Sequence, residues 1–157
     1  MSTQALQQII EEGRVFRKSF MSRRIKRGIE ANALSGLPSG PVPLGYRLEI
    51  ADGQRRAVID QAVAPLVREA FHLAAEGEHS LRDLLQIMTE RGLVSRNGKP
   101  MGVSAFWSLL TNPFYCGHIR FQNKNMLGKH SPIVTLEEYE RAQNQMKARA
   151  RSKKRRI

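Results

Sequence analysis

Apolar positions recur at helical spacing along most of this chain, interrupted by two kinds of break. From Gln4 to Ala33 there is no proline, and Ile9, Phe16, Phe20, Ile25 and Ile29 recur among basic residues. That spacing predicts one long helix with a narrow apolar stripe, which would lean on a partner or on a polyanion rather than stand alone. Three glycines and three prolines then crowd the stretch from Gly36 to Gly45, predicting an ordered-path linker with neither helix nor sheet. Beyond it, "YRLEI" and "RAVID" flank Asp52-Gly53 and read as a β-hairpin.

Three helices should follow. Val63, Val67, Ala70, Phe71 and Ala74 form the stripe of the first, which starts late because Pro65 fits only a first turn and stops at Gly77. Ser80 caps the second, with Leu81, Leu84, Leu85 and Met88 buried and Gly92 as the end. "RNGKP" makes a turn into a short third helix that Asn112-Pro113 stops. Phe106, Leu109 and Leu110 fall on one face of it, and Ser104, Trp107, Ser108 and Thr111 on the other. "GHIRFQ" reads as a strand and "NKNMLGK" as a polar loop. Thr135 and Glu138 form a capping box ahead of a last helix that runs into a basic tail. The fold class is therefore mainly α with a small β component (α+β). The units expected are a long basic helix over 1–35, a Gly/Pro linker over 36–45, a compact domain over 46–146 and a basic tail over 147–157.

Charge then points to a partner. The 157 residues hold 26 Lys and Arg against 14 Asp and Glu, a net charge of +12. Between Val42 and Met146 there are 12 basic and 11 acidic residues, so the excess sits in two arms. Arg14, Arg17, Lys18, Arg23, Arg24, Lys26 and Arg27 make one, and Lys147 to Arg156 the other. A balanced body between basic arms suggests nucleic acid, with plain solubility or membrane-surface attraction as the bland alternative. A 6% aromatic content with most rings on apolar stripes offers no stacking platform for single-stranded RNA. No apolar run approaches a membrane span, and one cysteine excludes an internal disulfide framework, so a reducing cytoplasm suits the chain.

Two helices joined through Gly92 to Gly102 give the outline of a helix-turn-helix, with a connection longer than the tight form. In that motif the second helix lies in the major groove. Ser104, Ser108 and Thr111 would then reach bases or phosphates, or else form an ordinary solvated face. Arg96 and Lys99 precede this helix, and Arg120, Lys124 and Lys129 follow it. His118 lies two residues from Cys116, but no second ligand pair follows, so no metal and no cofactor is expected. Cys116 reads instead as a small buried hydrophobe. Tyr115 reads as a core anchor whose hydroxyl finds a backbone partner, while Tyr46 reads as either a core anchor or a DNA contact.

Several stretches in succession carry a family resemblance. They are "PLGYRL" from Pro43, "IDQAVAPLVREAF" from Ile59, "SLRDLLQIMTERGLVSRNGKP" from Ser80, "SLLTNPFYCGHI" from Ser108 and "HSPIVTLEEYERAQ" from His130. Together they resemble the recombinase domain of the large serine recombinases, the phage-integrase and transposon-type site-specific recombinases. The most specific pieces are Pro43-Leu44-Gly45-Tyr46 after the linker and the Asn-Pro-x-Tyr-x-Gly from Asn112. The resemblance implies sequence-specific binding of double-stranded DNA. Arg23, Arg24, Lys26 and Arg27 would meet the backbone, and the linker through Pro43, Gly45 and Tyr46 would follow the minor groove. The helix carrying Ser104, Trp107, Ser108 and Thr111 would enter the major groove, with Arg96, Lys99, Arg120 and Lys124 beside it.

Met101, Gly102 and Trp107 depart from the family pattern. Trp107 would touch a thymine methyl or sugar, or pack on the loop from Asn123 to Leu127. Serine recombination needs a nucleophilic serine and several arginines around the phosphoryl group. The family keeps these in a separate domain, and Ser2, Ser19 and Ser22 sit in no such motif, so no catalytic residue is assigned. One cysteine cannot build the family's zinc ribbon either. The partners implied are DNA and, for a fragment, the catalytic and zinc-ribbon parts of a parent recombinase. A free-standing helix-turn-helix regulator without recombination activity is the alternative.

Overall fold

The computed structural model describes residues 3–155; Met1, Ser2, Arg156 and Ile157 lie outside it, as do the side chains of Thr3, Leu6, Lys153, Lys154 and Arg155. Helix α1 spans Thr3–Leu34 as expected, and nearly all of it up to Ala31 is exposed. Strands β1 (Tyr46–Ala51) and β2 (Gln54–Ile59) pair antiparallel, with Ala51 opposite Gln54. Asp52 (φ 52°) and Gly53 (φ 71°) supply the two left-handed residues that a tight hairpin turn requires.

Helix α2 (Ala64–Glu76) starts with Pro65 in its first turn and ends on Gly77 in the left-handed region. Helix α3 (Leu81–Glu90) carries more of a cap than expected. The Ser80 hydroxyl accepts from Asp83 N and the Asp83 carboxylate accepts from Ser80 N, a full capping box. The Ser80 hydrogen bonds hold the Asp83 carboxyl below its usual range. Conversely, Thr135 Oγ1 accepts from Glu138 N, but the Glu138 carboxylate turns away to His72 Nδ1, 3.5 Å off. Only half of that predicted capping box exists, because the carboxylate is drawn across to α2.

Helix α4 (Val103–Leu110) is followed by a 3₁₀ turn (Pro113–Cys116), β3 (His118–Phe121), β4 (Lys124–Leu127) and α5 (Leu136–Arg155). One expectation is corrected here. The stretch read as a polar loop is strand β4, paired with β3 through a turn at Gln122 (φ 46°) and Asn123 (φ 61°). It is nearly all exposed, so no apolar alternation betrayed it, and its partner strand decides its conformation. The basic stretch from residue 147 continues α5, which stays helical to Arg155.

One core joins these pieces. Val67, Ala70 and Phe71 of α2, Met88 of α3, and Phe106 and Leu110 of α4 are fully buried around Tyr46 and Tyr115. The Phe71 and Tyr115 rings meet at 5.3 Å, and Tyr46 meets Phe114 edge-on at 5.0 Å. Cys116 belongs to this core, with its thiol pushed up in pKa by burial. The mixed, mainly helical class is the one the periodicity indicated.

Candidate nucleic-acid interface

The linker carries carbonyl groups with no sheet or helix to receive them, and side chains from far along the chain bond several of them. Arg96 Nη2 donates to the carbonyl oxygens of Val42 (2.5 Å), Pro43 (3.0 Å) and Tyr46 (3.1 Å). Tyr115 donates its hydroxyl to Leu44 O at 2.7 Å, and Arg55 Nη2 donates to Gly40 O at 3.3 Å. At the upstream end Ser39 Oγ donates to Ile29 O (3.1 Å), and Lys129 N donates to Gly36 O (2.9 Å). The linker is thus pinned at both ends and in the middle. Burial pushes the Tyr115 hydroxyl well up in pKa, so it stays protonated and keeps donating.

Gly45 and Tyr46 are held inside. Gly45 has φ 92°, and a Cβ there would meet Ile133 Cδ1 at 3.0 Å. Tyr46 is 1% exposed, donates its hydroxyl to Ser131 O (2.8 Å) and accepts from Ile133 N (3.1 Å). Of its two readings, the core anchor is the one realised. Neither residue presents a side chain to solvent, whereas Pro43 keeps part of its surface.

The other candidate residues lie outside the core. Arg23, Arg24, Lys26 and Arg27 are exposed on the last third of α1, whose end is tied down by buried Ala33 and by Gly36. On α4, Ser104, Trp107 and Ser108 are exposed, while Phe106, Leu109 and Leu110 face the core. Thr111 is different: its hydroxyl donates back to Trp107 O at 2.9 Å, closing the end of α4. Lys99 is exposed in the turn before α4, and Arg120 and Lys124 are exposed on the β3–β4 hairpin. Trp107 borders a cleft beside Leu81 and Val103, so that cleft rather than the 123–127 segment is its setting. The linker-locking roles of Arg96 and Tyr115 could not be read from the order of residues. The available signal was a linker rich in unpaired carbonyls, which must find donors somewhere.

Residues 61–149 match the model of the Recombinase family. The chain belongs to that family. Two solved structures share the fold of this recombinase-family chain. The crystal structure of an LSR–DNA complex is 24% identical with a TM-score of 0.63, over 80% of this chain and 39% of that one. A structure concerned with the sequence requirements of the Listeria innocua prophage attP site is 23% identical with a TM-score of 0.64, over 79% of this chain and 51% of that one. The recombinase-family chain therefore spans about half or less of the chains it resembles. No curated protein matches it.

Proposed function

We propose that this chain binds double-stranded DNA sequence-specifically, as the recombinase domain of a serine site-specific recombinase. The observation that carries this reading is the grip of Arg96 on the linker. Arg96 lies in the loop that leads into α4, so one side chain couples the linker, and through it the basic end of α1, to the short exposed helix. A DNA reader needs such coupling, because phosphate contacts set the register in which base contacts are made.

In this reading Arg23, Arg24, Lys26 and Arg27 neutralise phosphates, and the linker follows the minor groove with Pro43 at its surface. Ser104 and Ser108 enter the major groove with Trp107 at the edge of the contact, where α4 borders its cleft, flanked by Lys99, Arg120 and Lys124 and by the free edge of Arg96. Gly45, Tyr46 and Thr111 support this surface from within. Membership of the recombinase family and the shared fold with an LSR–DNA complex support the assignment. Strand cleavage is assigned to a catalytic part of a parent recombinase, with a zinc ribbon as a further partner, and the place of work is the DNA in the cytoplasm. No helix among the described residues is long and apolar enough to cross a membrane.

Footprinting the purified chain on the ends of its host element tests site, spacing and binding together. Protection of a defined segment is expected, with no nick and no covalent adduct on supercoiled plasmid. Uniform weak protection of all DNA would refute sequence-specific binding, and a serine-linked adduct would refute the division of labour.

A further inference from the structure

Beside α4, and outside the proposed phosphate contacts, lies an open cleft of about 830 Å³. Leu81, Leu84, Val103 and Met146 give it an apolar floor, and Trp107, 52% exposed, forms one lip. Its opposite wall is α5 from Gln145 to Ser152, about 10 Å of helix, with small Ala148 and Ala150 allowing close approach. That length suits about two turns of a second helix.

The rim is basic. Arg82 and Arg149 line it, with Arg149 anchored by donation to Gly77 O, and Lys147 and Arg151 are exposed farther round the same stretch of α5. No carboxylate lines the cleft among the described residues. Of the nearest acids, Asp83 accepts from Ser80 N and Oγ in its capping box, and exposed Glu78 lies in the loop beside it.

We infer that this cleft is a docking site for an acidic amphipathic helix of a partner protein, with its apolar residues on Leu81, Val103 and Trp107 and its carboxylates toward Arg82 and Arg149. The mode is helix-in-groove recognition with charge complementarity at the rim. Duplex DNA matches the charge, but its phosphate surface has nothing to bury on four aliphatic side chains. The exposed apolar stripe on α1 of a second copy matches the floor, but it is interleaved with Arg14, Arg17 and Lys18 and would meet like charge.

Trp107 is the only tryptophan in the chain, so its emission reports on the cleft directly. The probe is a blocked helical peptide of about 14 residues with leucines at i, i+4 and i+7 among glutamates. Saturable binding with a blue shift of Trp107 emission is expected. Val103→Glu and Arg82→Glu should each weaken it by about tenfold. Val103 opens α4, where an acidic residue suits the helix dipole, and Arg82 is exposed, so circular dichroism should show both variants folded. Equal binding of a leucine-free glutamate peptide, or of the same peptide with lysines for glutamates, would overturn the proposal. So would parent-like binding by both variants. If duplex DNA rather than peptide shifts Trp107 and both variants abolish that shift, the cleft belongs to the DNA face and the proposal falls.

Discussion

Arg96 and Pro43 stand 53 residues apart in sequence, yet the guanidinium of one donates to the carbonyl oxygen of the other at 3.0 Å. The same nitrogen also serves Val42 and, at the start of β1, Tyr46, so one cation joins the carbonyls of a linker without sheet or helix to the strand that follows it. Planar, permanently charged and forked, an arginine suits this task as a lysine does not.

Replacing Arg96 separates a clamp from a simple phosphate contact. Arg96→Ala should cost about 1–2 kcal/mol, allowing for its solvent-exposed setting, and should speed amide exchange in the linker. Arg96→Lys should restore little of either. Hydrogen exchange and urea unfolding read both effects. A variant with parent stability and a salt slope flattened by about one unit would make Arg96 a phosphate ligand instead.

Two glycines make a matched pair. Gly45 and Gly53 both have φ in the left-handed region, but a Cβ at Gly53 meets open space, whereas at Gly45 it meets Ile133 at 3.0 Å and Val67 at 3.2 Å. Gly53→Ala should cost about 1 kcal/mol for the backbone alone. Gly45→Ala should cost about 1–3 kcal/mol more, as an overpacked core position does. Equal unfolding midpoints for the two variants would contradict this packing.

Binding energy and sequence choice should divide between the elements. If Arg23, Arg24, Lys26 and Arg27 each engage one phosphate, changing all four to Ala flattens the slope of log K against log salt by about 3–4 units. Cognate and random duplexes should weaken alike. Changing Ser104 and Ser108 should leave that slope alone and erode discrimination by about 1–3 kcal/mol for each base that is no longer read. The reverse pattern would exchange the two assignments, and no effect from the serines would make α4 a structural helix.

His130 predicts the pH response. Its ring stacks on Phe114 at 3.7 Å, meets Tyr46 edge-on, and bonds Phe114 O through Nε2 at 2.6 Å. Nδ1 is buried with no hydrogen-bond partner. Burial lowers its pKa from 6.5, against the opposing effect of the Phe114 carbonyl, and His118 adds to the lowering. The fold thus favours neutral imidazole. Its contribution is fully present above the unfolded value of about 6.5 and is lost as pH falls below it toward the depressed folded value. Thermal melts should show a fall in Tm through that window. His130→Gln keeps an N–H for Phe114 O, and its melts should be flatter with pH. Parallel pH profiles for the two proteins would place the sensitivity elsewhere.

What the sequence determined by itself was local. Helical spacing placed α1, α2, α3 and α4, because each has its own stripe, cap or stop: Pro65 and Gly77, Ser80 and Gly92, Asn112-Pro113. Asp52-Gly53 specified its hairpin for the same reason, and the charge split and the order of motifs carried the family. Strand β4 was not legible, since its exposed residues follow a partner strand and carry no alternation of their own. Nor was the state of the linker. Gly and Pro say that a segment forms neither helix nor sheet, but its rigidity is supplied by Arg55, Arg96, Tyr115 and Lys129, all distant in sequence. The same holds for Tyr46, Trp107 and α5. Whether an aromatic ring is buried or a basic helix borders a cleft depends on what packs against it, and only the tertiary structure brings those neighbours together.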